Sequence, residues 1–255
     1  MADFLSDPDF PAKAMRADRA MRIAFVQSLF RQYSRLRLTM AADRPVAIAG
    51  LESRLRKAFE TEGGFGIFDD GPGGELFHRS ILWQRGEELV DEPLVRTEHR
   101  NGWVPSWSWM AYEGGIDYVD PPSGSTQWSR EEISPPPTWP QYSVDAHSTN
   151  RHEEIFLTAT VRSFSVAGRL PGEVKLTYDT GKSASSMGQQ PQCVIVAKSV
   201  EGDTDKERRH YVLLVLEVEC YTYKSVGRRY ERIGAGFILG KYIDLDSPGV
   251  VRRIC

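Results

Sequence analysis

With 255 residues, 40% of them hydrophobic and 11% aromatic, the chain can bury a real core. Its 32 Lys and Arg nearly balance 35 Asp and Glu, so no global field would hold it on nucleic acid or a lipid surface. Three widely spaced cysteines, Cys193, Cys220 and Cys255, fit neither a disulfide framework nor a zinc site, and no apolar stretch is long enough for a leader or a membrane span. A cytoplasmic protein with reduced thiols, no membrane association and no cofactor is expected.

From about Asp18 to Leu36, Ile23, Val26, Leu29, Phe30, Tyr33 and Leu36 recur at three- and four-residue steps, which predicts an amphipathic helix. Arg19 and Arg22 lie near that stripe, so its first turn is expected to project from the core or to belong to a separate piece. Asp43 as N-cap and Pro45 in the first turn announce a second helix, stopped by Gly63-Gly64. A third, shorter helix is expected from about Glu75 to Gln84.

The period then changes. Trp107 to Glu113, Gly114-Gly115 and Ile116 to Asp120 read as a β-hairpin, with Glu113 opposite Ile116 and Ala111 opposite Tyr118. Pro121-Pro122 and Pro135-Pro136-Pro137 predict a long loop over 121–141, the best internal boundary. Beyond it, Ile155–Val161, Val174–Tyr178, Cys193–Lys198, Tyr211–Glu219 and Arg229–Leu239 are β-branched and aromatic runs. The expectation is an α+β fold: a helical N-terminal third (1–120, ending in the Trp-rich hairpin), then a mainly antiparallel sheet or partial barrel over 142–255 that shares one core with the hairpin.

Most signatures of chemistry are imitations. Thr180-Gly-Lys-Ser183 lacks the early glycine of a phosphate loop, and Gly234-Ala-Gly236-Phe-Ile-Leu-Gly240 reads as a strand, not a dinucleotide loop. His147, His152, Glu153 and Glu154 match no standard metal spacing, and His78, His99 and His210 stand alone. Three readings remain open. Trp107 and Trp109 could wall a small-molecule site with Glu113, Asp117 or His99; Asp120 also falls in that acidic group. Residues 13–57 carry eleven Lys and Arg against three Asp and Glu, and Arg16, Arg19, Arg31, Arg35, Arg54, Arg56 and Lys57 could track phosphates, although nucleic acid is disfavoured because no binding module accompanies them. The third is a non-enzymatic interaction or scaffold module, with the indoles in the core.

Four stretches, taken in order, resemble one family. Tyr33-Ser-Arg-Leu-Arg-Leu-Thr39 with Asp43 and Ala47-Ile-Ala-Gly50-Leu51, Gly66-Ile-Phe68 with Ser80-Ile-Leu-Trp83, Pro105-Ser106-Trp107-Ser108-Trp109 with Gly115, and Tyr230-Glu231-Arg232-Ile-Gly234-Ala-Gly236 are similar to the region after the signature domain of fungal heterokaryon-incompatibility (HET) proteins. The resemblance implies nonself recognition and programmed cell death, with a protein partner, a HET-type domain among the candidates. It implies a signature domain before Tyr33, which these residues do not supply, and it carries over no catalytic residue.

Overall fold

The computed structural model describes residues 16, 18–36, 43–89, 92–97, 104–139, 155–180, 189–222 and 225–255. Two long helices open the fold, α1 (Arg19–Ser34) and α2 (Arg44–Phe59). Asp18 caps α1, its carboxylate accepting from the Met21 N–H at 2.8 Å. The apolar stripe goes inward: Ile23, Val26 and Phe30 from α1, and Ile48, Leu55 and Phe59 from α2. The first turn of α1, Asp18 to Met21, is exposed as expected, and it is tethered where Arg19 donates to the Gly73 carbonyl (3.2 Å) and Arg22 to the Phe59 carbonyl (3.4 Å).

Asp43 precedes α2 in a helical conformation and makes no side-chain cap, so its expected role is not the one it has. The helix ends before the two glycines, with Glu60 in the left-handed region (φ 53°) closing it. Gly63 and Gly64 lie instead in a ribbon of β1 (Glu62–Gly64) and β2 (Ile67–Asp69). The first third therefore interleaves helix with strand. A short helix, α3 (Leu76–Ile81), stops before Trp83, which opens β3 (Trp83–Arg85).

The expected hairpin does not form. Trp109–Ala111 is a 3-10 turn, β5 (Tyr112–Glu113) pairs with β4 (Val95–Arg96), and β6 (Ile116–Tyr118) pairs with β3. The reason lies in Ser108: its Oγ accepts from the Met110 N–H at 3.0 Å and turns the backbone out of extended geometry. Gly114 (φ 127°) still reverses the chain, but its two flanks pair with different strands. The Pro-rich segment is likewise not all loop. It supplies β7 (Thr126–Trp128) and β8 (Ile133–Ser134), short proline-free strands at the edges of the sheet.

The rest is β9 (Leu157–Ser163), β10 (Val174–Tyr178), β11 (Gln192–Ser199), β12 (Arg209–Thr222), β13 (Ser225–Leu239) and β14 (Val250–Ile254). Strands β9, β11, β12, β13 and β14 close into a five-stranded barrel, because β9 pairs with both β11 and β14. All its pairings are antiparallel except β13 with β14, which meet in parallel at Tyr230 and Ile254. The molecule is thus mixed α+β and mostly β.

The continuous apolar run of β12 follows from burial on both faces. Leu213 and Val215 join Val194 and Val196 in a large core that also holds the helices and the tryptophans. Val212 and Leu214 join Cys193 and Ile195 in a smaller one. The large core runs from Ile23 in α1 to Ile254 in β14, so helices and barrel bury one another.

Candidate functional site

The segment 104–112 is buried throughout, serines included. Trp107 and Trp109 are wholly enclosed. Trp109 packs against Phe30 (centroids 5.1 Å apart) and Tyr33 (6.1 Å), and Trp107 meets Phe65 and Trp139 edge-on. A hydroxyl can stay in such a place only when bonded, and both serines are. Ser108 Oγ donates to the Phe65 carbonyl at 2.7 Å, tying the tryptophan segment to the turn between β1 and β2. Ser106 Oγ donates to the Cys255 carbonyl and accepts from the Arg232 N–H at 2.9 Å, tying it to β13 and the residue after β14.

Arg232 is the centre of this arrangement. Its side chain is fully enclosed, sits over the Trp83 ring (3.3 Å to the centroid) and forks onto Asp179, Nε to Oδ2 at 3.2 Å and Nη2 to Oδ1 at 3.3 Å. Its remaining donors go to the carbonyls of Ile81 (2.9 Å) and Trp83. Trp83 Nε1 in turn donates to the Trp107 carbonyl at 2.8 Å. Burial pushes the Asp179 carboxyl up and the Arg232 guanidinium down, while each partner pulls the other back toward its charged form. A planar guanidinium suits this place because one side chain can fill a bidentate pair, two carbonyls and a ring face at once.

Three of the four stretches singled out in the sequence therefore meet here through Trp83, Pro105 to Trp109 and Arg232, and Tyr33 joins them by its contact with Trp109 and by donating to the Arg44 carbonyl at 3.4 Å. Glu231, one step from Arg232, points outward and binds Arg96 at 2.8 Å. Gly115 packs against Glu88 and Arg35. Gly234 and Gly236 sit so close to β10 that a Cβ on either would strike the carbonyls of Thr177 and Lys175. Gly50 is exposed on α2 with nothing near it, and Thr39 lies outside the described residues. Asp179, Phe65 and Cys255 escaped the sequence reading because they enter through a long-range ion pair and backbone carbonyls, which leave no local pattern.

The motif glycines thus divide by mechanism. Gly50→Ala is expected to raise the unfolding free energy by about 0.5–1 kcal/mol, since it removes a flexible residue from a helix without meeting anything. Gly236→Ala should lower it by about 1–3 kcal/mol through overpacking against β10. Urea titration of both variants checks the opposite signs.

The catalytic alternative finds its groups apart. Glu113 is exposed on β5, Asp117 is bound by Arg31 (3.3 Å) and Arg35 (3.2 Å), and Asp120 by Arg79 (2.7 Å). His99, His147 and His152 lie outside the described residues. Among the described residues no group of His, Cys, Asp and Glu is placed to hold a metal, and Cys193 and Cys255 are buried. Gly234–Gly240 runs through β13 and its following turn, with no helix opening after it. Much of the basic charge on α1 and α2 is already used: Arg19 meets Asp70, Arg35 meets Glu88, Arg56 meets Glu62, and Arg44 is buried on the carbonyls of Tyr112 and Ser34.

Two further buried groups stand out. Glu52 on α2 accepts from the Gly66 N–H at 2.8 Å, and burial raises its carboxyl from 4.5 to about 7. His78 on α3 lies against Phe77 and Trp128, and burial lowers its imidazole to about 4. No helix among the described residues is long and apolar enough to cross a membrane. Compared with family models, curated proteins and solved structures, the chain matches none.

Proposed function

We propose that the chain is a non-enzymatic interaction or scaffold module of the type that follows the signature domain in fungal heterokaryon-incompatibility proteins, acting in the cytoplasm in nonself recognition and the cell death it triggers. One observation carries the reading: the residues of its most recognisable motifs are spent on one another. Trp83, Ser106, Ser108 and Arg232 are enclosed and bonded inward, and Trp107 and Trp109 are enclosed and packed on other rings, so they serve as the joint of a scaffold, and partners are left to the surface. The ion pairs that occupy Arg19, Arg31, Arg35 and Arg56 weigh against the nucleic-acid alternative.

The test is direct association. The purified chain and a purified HET-type domain, sedimented together, should form a complex with a dissociation constant of about 10 μM or tighter. Independent sedimentation of the two would count against the reading.

A further inference from the structure

On that reading, the next question is which part of the surface receives a partner, and β14 answers it. Four of its five residues are exposed, although the strand belongs to the barrel. Val250 and Arg252 share a face with Val161 and Ala159 of β9, which are buried, whereas Val251 and Arg253 share the opposite face with Thr160 and Thr158. Both faces of β14 are therefore uncovered, with Val250 50% and Val251 63% exposed.

Its edge toward β13 is also open. The two strands meet at one register position, Tyr230 with Ile254, beside which the Cys255 N–H donates to the Tyr230 carbonyl at 2.9 Å. Backbone groups two residues apart point the same way in a strand, so Val251 presents its own to that side, beyond the end of the pairing. β13 meanwhile continues into a long ribbon with β12, from Val215 opposite Arg232 to Thr222 opposite Ser225.

Charge identifies the occupant. The ladder ends at Tyr230 and Ile254, and past it Arg252 and Arg253 stand exposed on β14. Arg228 and Arg229 have acidic neighbours, Glu217 at 3.6 Å and Glu231 at 3.4 Å. Arg252 reaches only the adjacent Val251 carbonyl, and Arg253 lies over the Phe156 ring; neither forms an ion pair among the described residues. A second copy of the chain would bring the same arginines edge to edge, which disfavours it.

We propose that β14 is a docking edge for an extended acidic segment of another protein, added as a strand beside Val251, its carboxylates on Arg252 and Arg253 and its apolar residues on Val250 and Val251. The probe is a short synthetic peptide repeating Val-Val-Glu-Glu, which as a strand carries valine and carboxylate on both of its faces, titrated into the full chain by fluorescence anisotropy, with amide hydrogen exchange read at residues 250–253. Saturable binding is expected, with slowed exchange at Val251, at least about tenfold weaker binding to Arg252→Glu/Arg253→Glu, and none of a valine–lysine peptide. Circular dichroism confirms that the variant folds. No binding, binding unaffected by the charge reversal, or protection elsewhere on the surface would overturn the proposal. A HET-type domain that bound the wild type and the charge-reversed variant equally would also overturn it, while leaving the scaffold reading standing.

Discussion

Arg232→Ala should lower the unfolding free energy by about 3–5 kcal/mol, the usual cost of stranding one member of a buried ion pair. The substitution leaves the Asp179 carboxylate enclosed without its counter-charge, uncovers the face of Trp83, and leaves the carbonyls of Ile81 and Trp83 without their donor. Arg232→Lys should recover little, because an ammonium cannot fork onto two oxygens and lie flat on a ring together. Arg232→Met/Asp179→Leu should be more stable than Arg232→Ala alone despite losing both charges, since no uncompensated charge then remains inside. Denaturant midpoints for the three variants decide the matter; a loss under about 1 kcal/mol for Arg232→Ala would mean that the pair is not shielded from water.

The second large effect depends on pH. A carboxyl whose value rises from 4.5 in the unfolded chain to about 7 when folded binds its proton more tightly in the native state. Stability from this group is therefore greatest below about 4.5, falls as pH rises, and reaches its full deficit above about 7, some 3 kcal/mol in all. Glu52→Gln keeps an oxygen for the Gly66 N–H and removes the charge. It should match the wild type near pH 4.5 and exceed it by about 3 kcal/mol at pH 8. His78 acts in the opposite sense, its neutral form favouring the fold above 6.5 and its protonation opposing it as pH falls toward 4. That contribution is common to both proteins and cancels in the comparison. A difference that stays constant across the range would show that the Glu52 carboxyl binds its proton equally in the folded and unfolded chain, and would contradict the shift.

Sequence periodicity located α1, α2 and the strands β9 to β13 because each turns apolar residues of its own toward a core. It misread the tryptophan segment for an identifiable reason. In Trp107-Ser-Trp-Met the alternation of large and small residues imitates a strand with serines outward, but here the small residues are inside, each hydroxyl bonded to a distant carbonyl. The same holds for Glu60, whose left-handed conformation ended a helix that two later glycines were expected to stop. Barrel closure was not legible either, since it rests on the pairings of β9 with β14 and β11, far apart in the chain. Of the buried joint, Trp107 and Trp109 stand out by their own pattern, Ser106, Ser108 and Arg232 by resemblance alone, and Asp179, the partner that explains Arg232, by nothing.

The central claim is that this joint binds the N-terminal helices and the barrel into one cooperative body. Equilibrium unfolding in urea, followed by tryptophan fluorescence and by far-ultraviolet circular dichroism, tests it most directly. Coincident transitions with one midpoint, shifted together by Arg232→Ala, are the predicted result. Loss of the tryptophan signal at lower urea than the β-sheet signal, with Arg232→Ala moving only the first, would contradict it.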